Sequence, residues 1–232
     1  MRDFMDSRII KKKRVLILSA SSKHHELCVA GLDILAKKLI RLVSDDEVTD
    51  GAIPKSYMKN VQIGDVVDVC VVRAAPNACQ PENYLVDLNI PPRVRVHFNN
   101  ADIIEHMRPY LYQESFIFGN QYKVLNAEEM KRSTRSLAWV QVDAVSIHLN
   151  EHGKTRVSFW YNGVYYHDLC VTDREFFDLD GNGVSFSKAY FLMSLPHNPW
   201  QPDAETDLYF KFVAMILPSN KDATEYDFDI PF

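Results

Sequence analysis

TRVSFWYNGVYYHDLCVTD, residues 155–173, decides the fold class. Two runs of aromatic and β-branched residues flank Asn162-Gly163, and such side chains fit a pleated, half-buried surface. Asn-Gly is the strongest short-range hairpin signal, because both residues accept the positive φ of a tight antiparallel turn. The stretch therefore reads as two strands joined at 162–163. Before it, SLAWVQVDAVSIHL (136–149) is a further strand, and after it DLYFKFVAMIL (207–217) is a final one.

The N-terminal half carries the same signature. RVLILSA (14–20) reads as a first buried strand, and SSKHHELCVAG (21–31) interrupts it with polar residues. LDILAKKLIRLVS (32–44) fits either a helix or a turn followed by a strand ending in LIRLVS, since short apolar runs do not separate the two. DDEVTDGAIPKS (45–56) is a loop. VQIGDVVDVCVVRAAP (61–76) holds a strong strand at 66–72. NACQPENYLVDL (77–88) supplies a loop and another strand, and Pro91-Pro92 closes the region because neither proline can donate to a ladder. ADIIEHMRPYLY (101–112) is a short helix ended by Pro109, and NAEEMKRSTRS (126–136) a polar connector. Many short strands with turn punctuation and few long helices point to a mainly β protein with minor α, built as barrels or sandwiches.

In a chain of 232 residues, 47% hydrophobic and 12% aromatic content supplies a packed core. A charged fraction of 25% argues against wholesale disorder. No run reaches the roughly 18–20 apolar residues of a membrane span. The start, MRDFMDSRIIKKKR, does not read as a secretory signal. Cys28, Cys70, Cys79 and Cys170 form no CxxC pair, so no structural zinc is expected. Cys70 and Cys170 lie in apolar runs and read as buried reduced thiols. The cytoplasm is the expected location, with no membrane partner. Residues 1–44 hold ten Lys/Arg against four Asp/Glu (+6), whereas the remaining 16 against 27 give −11. The end, KDATEYDFDIPF, is acidic and aromatic. Such asymmetry can steer a phosphate ligand to one surface, or be solvated charge without a partner.

The order of several motifs resembles the dual OB-containing domain family. In SSKHHELCVAG, residues Ser21, Lys23, Cys28, Ala30 and Gly31 match the family's Ser-x-Lys and Cys-x-Ala-Gly pattern. LIRLVS (39–44) is similar to its Ile-Arg-Pro-Val-Ser segment, with Leu42 in place of the proline. CQPENYLVDL (79–88) resembles its Gln-Pro-Glu-Asn-aromatic segment, and SLAWVQV, FWYNGVYYHDLCVTD and FLMSLPHNPW with FKFVAMIL resemble its second half. The resemblance implies two OB-like Greek-key β-barrels in tandem with short helices and loops. The resulting division is a basic leader 1–13, a first barrel 14–112, a connector 113–135, a second barrel 136–218 and an acidic tail 219–232.

Ser21, Lys23, His24, Arg41 and Ser44 are candidate phosphate-binding residues, since Lys and Arg flanked by hydroxyls suit an anion. The plainer reading has the serines capping turns and the cations pairing with Glu82 or other acids. Gln80, Glu82 and Asn83 can meet a base edge, or fix the turn around Pro81. Tyr84, Trp160 and Tyr161 are base-stacking candidates, although strand alternation sends about half of all such rings into the core. DLDGNGVSF (178–186) imitates a calcium loop but has Ala189 where the bidentate carboxylate belongs, so it reads as a turn. No HExxH, GxSxG, P-loop or dinucleotide fingerprint occurs. The expectation is a non-catalytic, cofactor-free module binding single-stranded nucleic acid or nucleotide. The resemblance suggests a setting in bacterial or phage conflict systems. The alternative is a protein-interaction or small-nucleotide-sensing module acting with a partner effector.

Overall fold

The computed structural model describes residues 11–23, 25–177 and 183–219. The first half holds β1 (Lys11–Lys23), β2 (Glu26–Asp33), β3 (Lys38–Val43), α1 (Lys55–Met58), β4 (Asp65–Ala74), β5 (Asn83–Val86), β6 (Arg93–His97) and α2 (Asn100–Met107). Its pairings run β1 to β2, β2 to β3, β3 to β5 in parallel, β5 to β4, and β4 back to β1. The ring is closed, and β6 is added outside it on β4. The second half holds β7 (Val124–Asn126), α3 (Ala127–Arg132), β8 (Leu137–Leu149), β9 (Thr155–Tyr161), β10 (Val164–Val171), β11 (Val184–Ser194), β12 (Leu208–Phe210) and β13 (Phe212–Pro218). Here β8, β9, β10, β13 and β11 close a barrel with the same order of pairing, again with a parallel contact, β10 on β13. Two OB-like Greek-key barrels therefore stand in tandem.

The apolar run of β1 is continuous because both its faces are buried. Val15 and Ile17 point into the first barrel, while Leu16 and Leu18 point outward onto Leu137, Trp139, Leu192, Met215 and Leu217 of the second. The same two-residue alternation governs β8, whose Ala138, Val140 and Val142 fill the second core. Ile103, Ile104 and Met107 of α2 complete the cluster between the barrels. There Trp139 is fully buried and stacks on Tyr190 with centroids 5.8 Å apart. Gly31 lies where β1 and β2 press together: a Cβ at that position would sit 2.1 Å from the Leu16 carbonyl oxygen. No other residue fits without moving backbone.

Asn162 and Gly163 turn as the sequence predicts, at φ 48° and 76°. The ambiguous 32–44 stretch resolves as a turn and a strand, because the Asp33 carboxylate accepts the amides of Leu35 and Ala36 and closes the chain before β3. The polar 21–31 segment does not interrupt the sheet. It is the β1–β2 hairpin, with Lys23 opposite Glu26. Pro91-Pro92 likewise does not end the sheet, since β6 follows at once. The connector contains α3, started by a capping box between Asn126 and Glu129. Ile117, Phe118, Leu125 and Met130 from that region belong to the second core. Among the described residues no helix is long and apolar enough to cross a membrane. His24, most of the calcium-like loop, and the greater part of the leader and tail lie outside the described residues.

The final strand is broken at Lys211, which separates β12 from β13. Its ammonium is fully buried, donates to the carbonyl and the side-chain oxygen of Asn120 at 2.8 Å each, and lies 5.1 Å from the centre of the Tyr166 ring. Burial lowers its pKa to about 7, partly opposed by Glu129. The unfolded chain keeps this proton to about 10.5, so unfolding takes one up between pH 7 and 10.5 and stability rises with pH across that window. Asp173, raised by burial to about 7, acts below it, its contribution falling from pH 4 to 7. We expect a higher Tm at pH 9 than at pH 7, and no such rise in Lys211→Met; an unchanged rise in that variant would refute the assignment.

Candidate functional site

The β1–β2 hairpin sets Ser21 directly opposite Cys28, two residues before Lys23. The next strand, β3, places Arg41 opposite Ala30 on one side and Asn83 on the other. The second barrel brings up the end of β11 with Ser194, the loop from Leu195 to Asn198, and Phe212 at the start of β13. Together they line a cleft of about 240 Å³ between the barrels, into which Ser21, Lys23, Arg41, Gln80 and His197 all face.

Arg41 is the centre of the site and is only 2% exposed. Its Nη1 donates to the Cys28 Sγ at 3.2 Å and Ser194 Oγ at 3.3 Å, and its Nη2 to Ser136 Oγ at 2.9 Å. The Nε has no partner. Among the described residues no carboxylate forms an ion pair with this guanidinium. A buried cation held only by neutral groups is energetically expensive, and an anion entering the cleft would offset that expense.

Glu82 approaches Arg41 through one hydroxyl. Its carboxylate accepts the Ser136 amide at 2.6 Å, the Ser136 hydroxyl at 2.8 Å and the Leu137 amide at 3.3 Å, clasping the start of β8. Gln80 donates to the Leu195 carbonyl at 3.1 Å, and Asn83 donates to the Gln80 side chain. Gln-Pro-Glu-Asn is thus a fastening between barrels, not a free base-reading edge. Lys23 donates to the Asp50 carbonyl at 2.8 Å, and its pKa is lowered chiefly by burial, with Arg41 adding to the effect. The Asp50 carboxylate is the cleft's acidic member and accepts from Asn198 at 3.2 Å. His197 is lowered by burial first and by Lys23 next. The Asn77 side-chain oxygen accepts two backbone amides, which turns its NH₂ toward His197 Nδ1 at 3.0 Å. The imidazole therefore carries its proton on Nε2.

The structure brings Ser21, Lys23, Arg41 and Gln80 to one cleft. Ser44 lies apart, its hydroxyl donating to the Ala52 carbonyl at 2.6 Å to hold the 44–52 turn. Tyr84 also lies elsewhere, its ring 4.0 Å beneath the Lys13 ammonium. Tyr161 is 3% exposed and its hydroxyl donates to the carbonyls of Tyr112 and Glu114, so its ring is core and cannot stack on a base. Trp160 is 45% exposed on the outer face of the second barrel, 5.2 Å from Tyr165, which in turn lies 6.0 Å from His167. Sequence reasoning missed Ser136, Ser194, His197 and Asp50. The signal for two of them was present in FLMSLPHNPW, whose Ser194 and His197 both line the cleft or bind Arg41.

No curated protein and no solved structure matches the chain. The family model described as a dual OB-containing domain matches residues 13–216, a span that runs from β1 to β13 and takes in both barrels and the cleft between them. With that extent of match and two rings of identical strand order, the chain belongs to the dual OB-containing domain family.

Proposed function

We propose that this protein is a binding module that holds a phosphate of single-stranded nucleic acid in the cleft between its barrels. The carrying observation is Arg41, a buried guanidinium without a carboxylate among the described residues, facing the same cleft as Lys23. Guanidinium bound to phosphate is a strong, charge-assisted contact. Exposed Trp160 and Tyr165 on strands β9 and β10 offer sequence-tolerant stacking surfaces, and OB barrels commonly bind oligonucleotides on the face of their second and third strands. The family resemblance suggests bacterial or phage conflict systems as the setting, within the cytoplasm and without catalysis.

The test is titration of single-stranded DNA and RNA at 50 and 200 mM salt. With two or three phosphates neutralised, affinity should fall roughly 7- to 18-fold between these conditions. Lys23→Gln should flatten the salt dependence by about one phosphate contact. Absence of binding at the lower salt sinks the reading. A small-nucleotide sensor is the second reading, favoured by a cleft of only about 240 Å³ walled by both barrels. Under it, mononucleotides raise the Tm while polymers do not bind.

A further inference from the structure

The cleft between the barrels is tied across by hydrogen bonds from three separate elements of the first barrel. Gln80, in the loop before β5, donates to the Leu195 carbonyl at 3.1 Å. Ser19, on β1, donates to the Ala214 carbonyl at 2.9 Å. These two residues stand next but one to Ser21 and Phe212, which line the cleft from either side. Asp50, in the 44–52 turn, accepts from Asn198 at 3.2 Å in an exposed contact that marks the rim. Arg41, 2% exposed, forms the floor.

An unbroken strand needs a trough open at both ends, because chain leaves an internal phosphodiester in two directions. A pocket tied across in this way, with its cation on the floor, suits a group that chain leaves in one direction only. Size agrees. The cleft's volume of about 240 Å³ falls below the roughly 300–1,000 Å³ of pockets that engulf drug-sized ligands, so it has room for a phosphate and its sugar but not for a run of nucleotides. Resting on the single-strand reading and narrowing it, we propose that the cleft binds the terminal phosphomonoester of a single strand and excludes internal phosphodiesters.

The donors match that group. A terminal phosphate carries about −1.5 to −2 charge at pH 7 and three strong acceptor oxygens, whereas an internal phosphodiester carries a single charge. Facing it are the Arg41 Nε, which has no partner, the Lys23 ammonium and the protonated Nε2 of His197. Burial and the nearby Arg41 both disfavour the charged form of Lys23, and a dianion lying between the two cations offsets both effects. The Asp50 carboxylate, at the rim, is screened from the floor by solvent and accepts rather than donates, so it faces a hydroxyl of the terminal sugar. The competing arrangement is a sharply bent strand that inserts an internal phosphate.

Competition binding to the full chain at low salt separates the two. Short oligopyrimidines of one sequence, as DNA and as RNA, are compared with a 5′-phosphate, with a 3′-phosphate, with hydroxyls at both ends, and as a closed circle. One phosphorylated end should bind about 10- to 100-fold more tightly than the hydroxyl-ended strand and the circle, the worth of one charge-assisted contact or slightly more. Lys23→Gln, whose amide can still donate to the Asp50 carbonyl, should remove most of that difference. Equal binding of all four forms overturns the proposal and leaves the single-strand reading standing. An end preference that Lys23→Gln leaves intact also overturns it, since the phosphate then lies outside the cleft. If none of the four binds, the single-strand reading fails and this proposal with it.

Discussion

Trp139→Ala is expected to destabilise the protein by about 4 kcal/mol, as removal of a buried large aromatic side chain does, and to split its unfolding into two steps. Trp139 is fully buried at the seam and leans on Tyr190, whose stacking adds about 1 kcal/mol beyond the area covered. Leu16, Leu18, Ala30 and Leu32 of the first barrel meet the second through this same cluster. The backbone carbonyl of residue 139 still receives the Tyr112 amide in the variant, so β8 itself persists. The loss therefore falls on the joint between barrels. Urea unfolding followed by far-ultraviolet dichroism and by tyrosine emission should show one coincident transition in the parent and two separated ones in the variant. A single transition with a loss under about 1 kcal/mol would show that Trp139 does not carry the coupling between the barrels.

Arg41→Met should separate binding from stability. The methionine fills similar length without charge, and replacing a buried ion by a well-packed apolar side chain is often neutral or stabilising. The polar groups left behind keep other partners: the Ser136 hydroxyl donates to Glu82, and the Ser194 hydroxyl faces the Leu195 carbonyl. The Tm should stay level or rise, while affinity for single-stranded nucleic acid falls about 100-fold, the worth of one or two charge-assisted contacts. A drop of several kcal/mol in stability with affinity intact would mean that Arg41 is structural and that the phosphate lies elsewhere.

Much of the fold was legible because it depends on local chemistry. Asn162-Gly163 specifies its turn whatever surrounds it. The dense apolar character of RVLILSA announced burial, although only the tandem arrangement explains why both faces are covered. The misread elements depend on distant partners. Strand β6 alternates Arg, Val, Arg, Val and His, but it is only five residues long, follows two prolines and is exposed throughout, so its pairing to β4 decides it. The break at Lys211 is set by Asn120 and Tyr166, far away in sequence. At the site, Arg41 and Lys23 could be named from charge and motif. Their meeting with Ser194 and His197 could not, because it is made by the contact of two barrels. Tyr161 and Trp160 are neighbours of the same residue class, and which one faced solvent was a matter of strand parity fixed by the core.

The outward leucines of β1 have a consequence for biosynthesis. The ring of the first barrel is complete once β5 has left the ribosome, yet Leu16 and Leu18 are then still uncovered. Their covering residues extend to Leu217, which at roughly 5–20 residues per second emerges on the order of 10–40 s after Leu16. For that interval the nascent chain displays a sticky aliphatic stripe, and holding it apart from other newly made chains is work for a ribosome-associated chaperone.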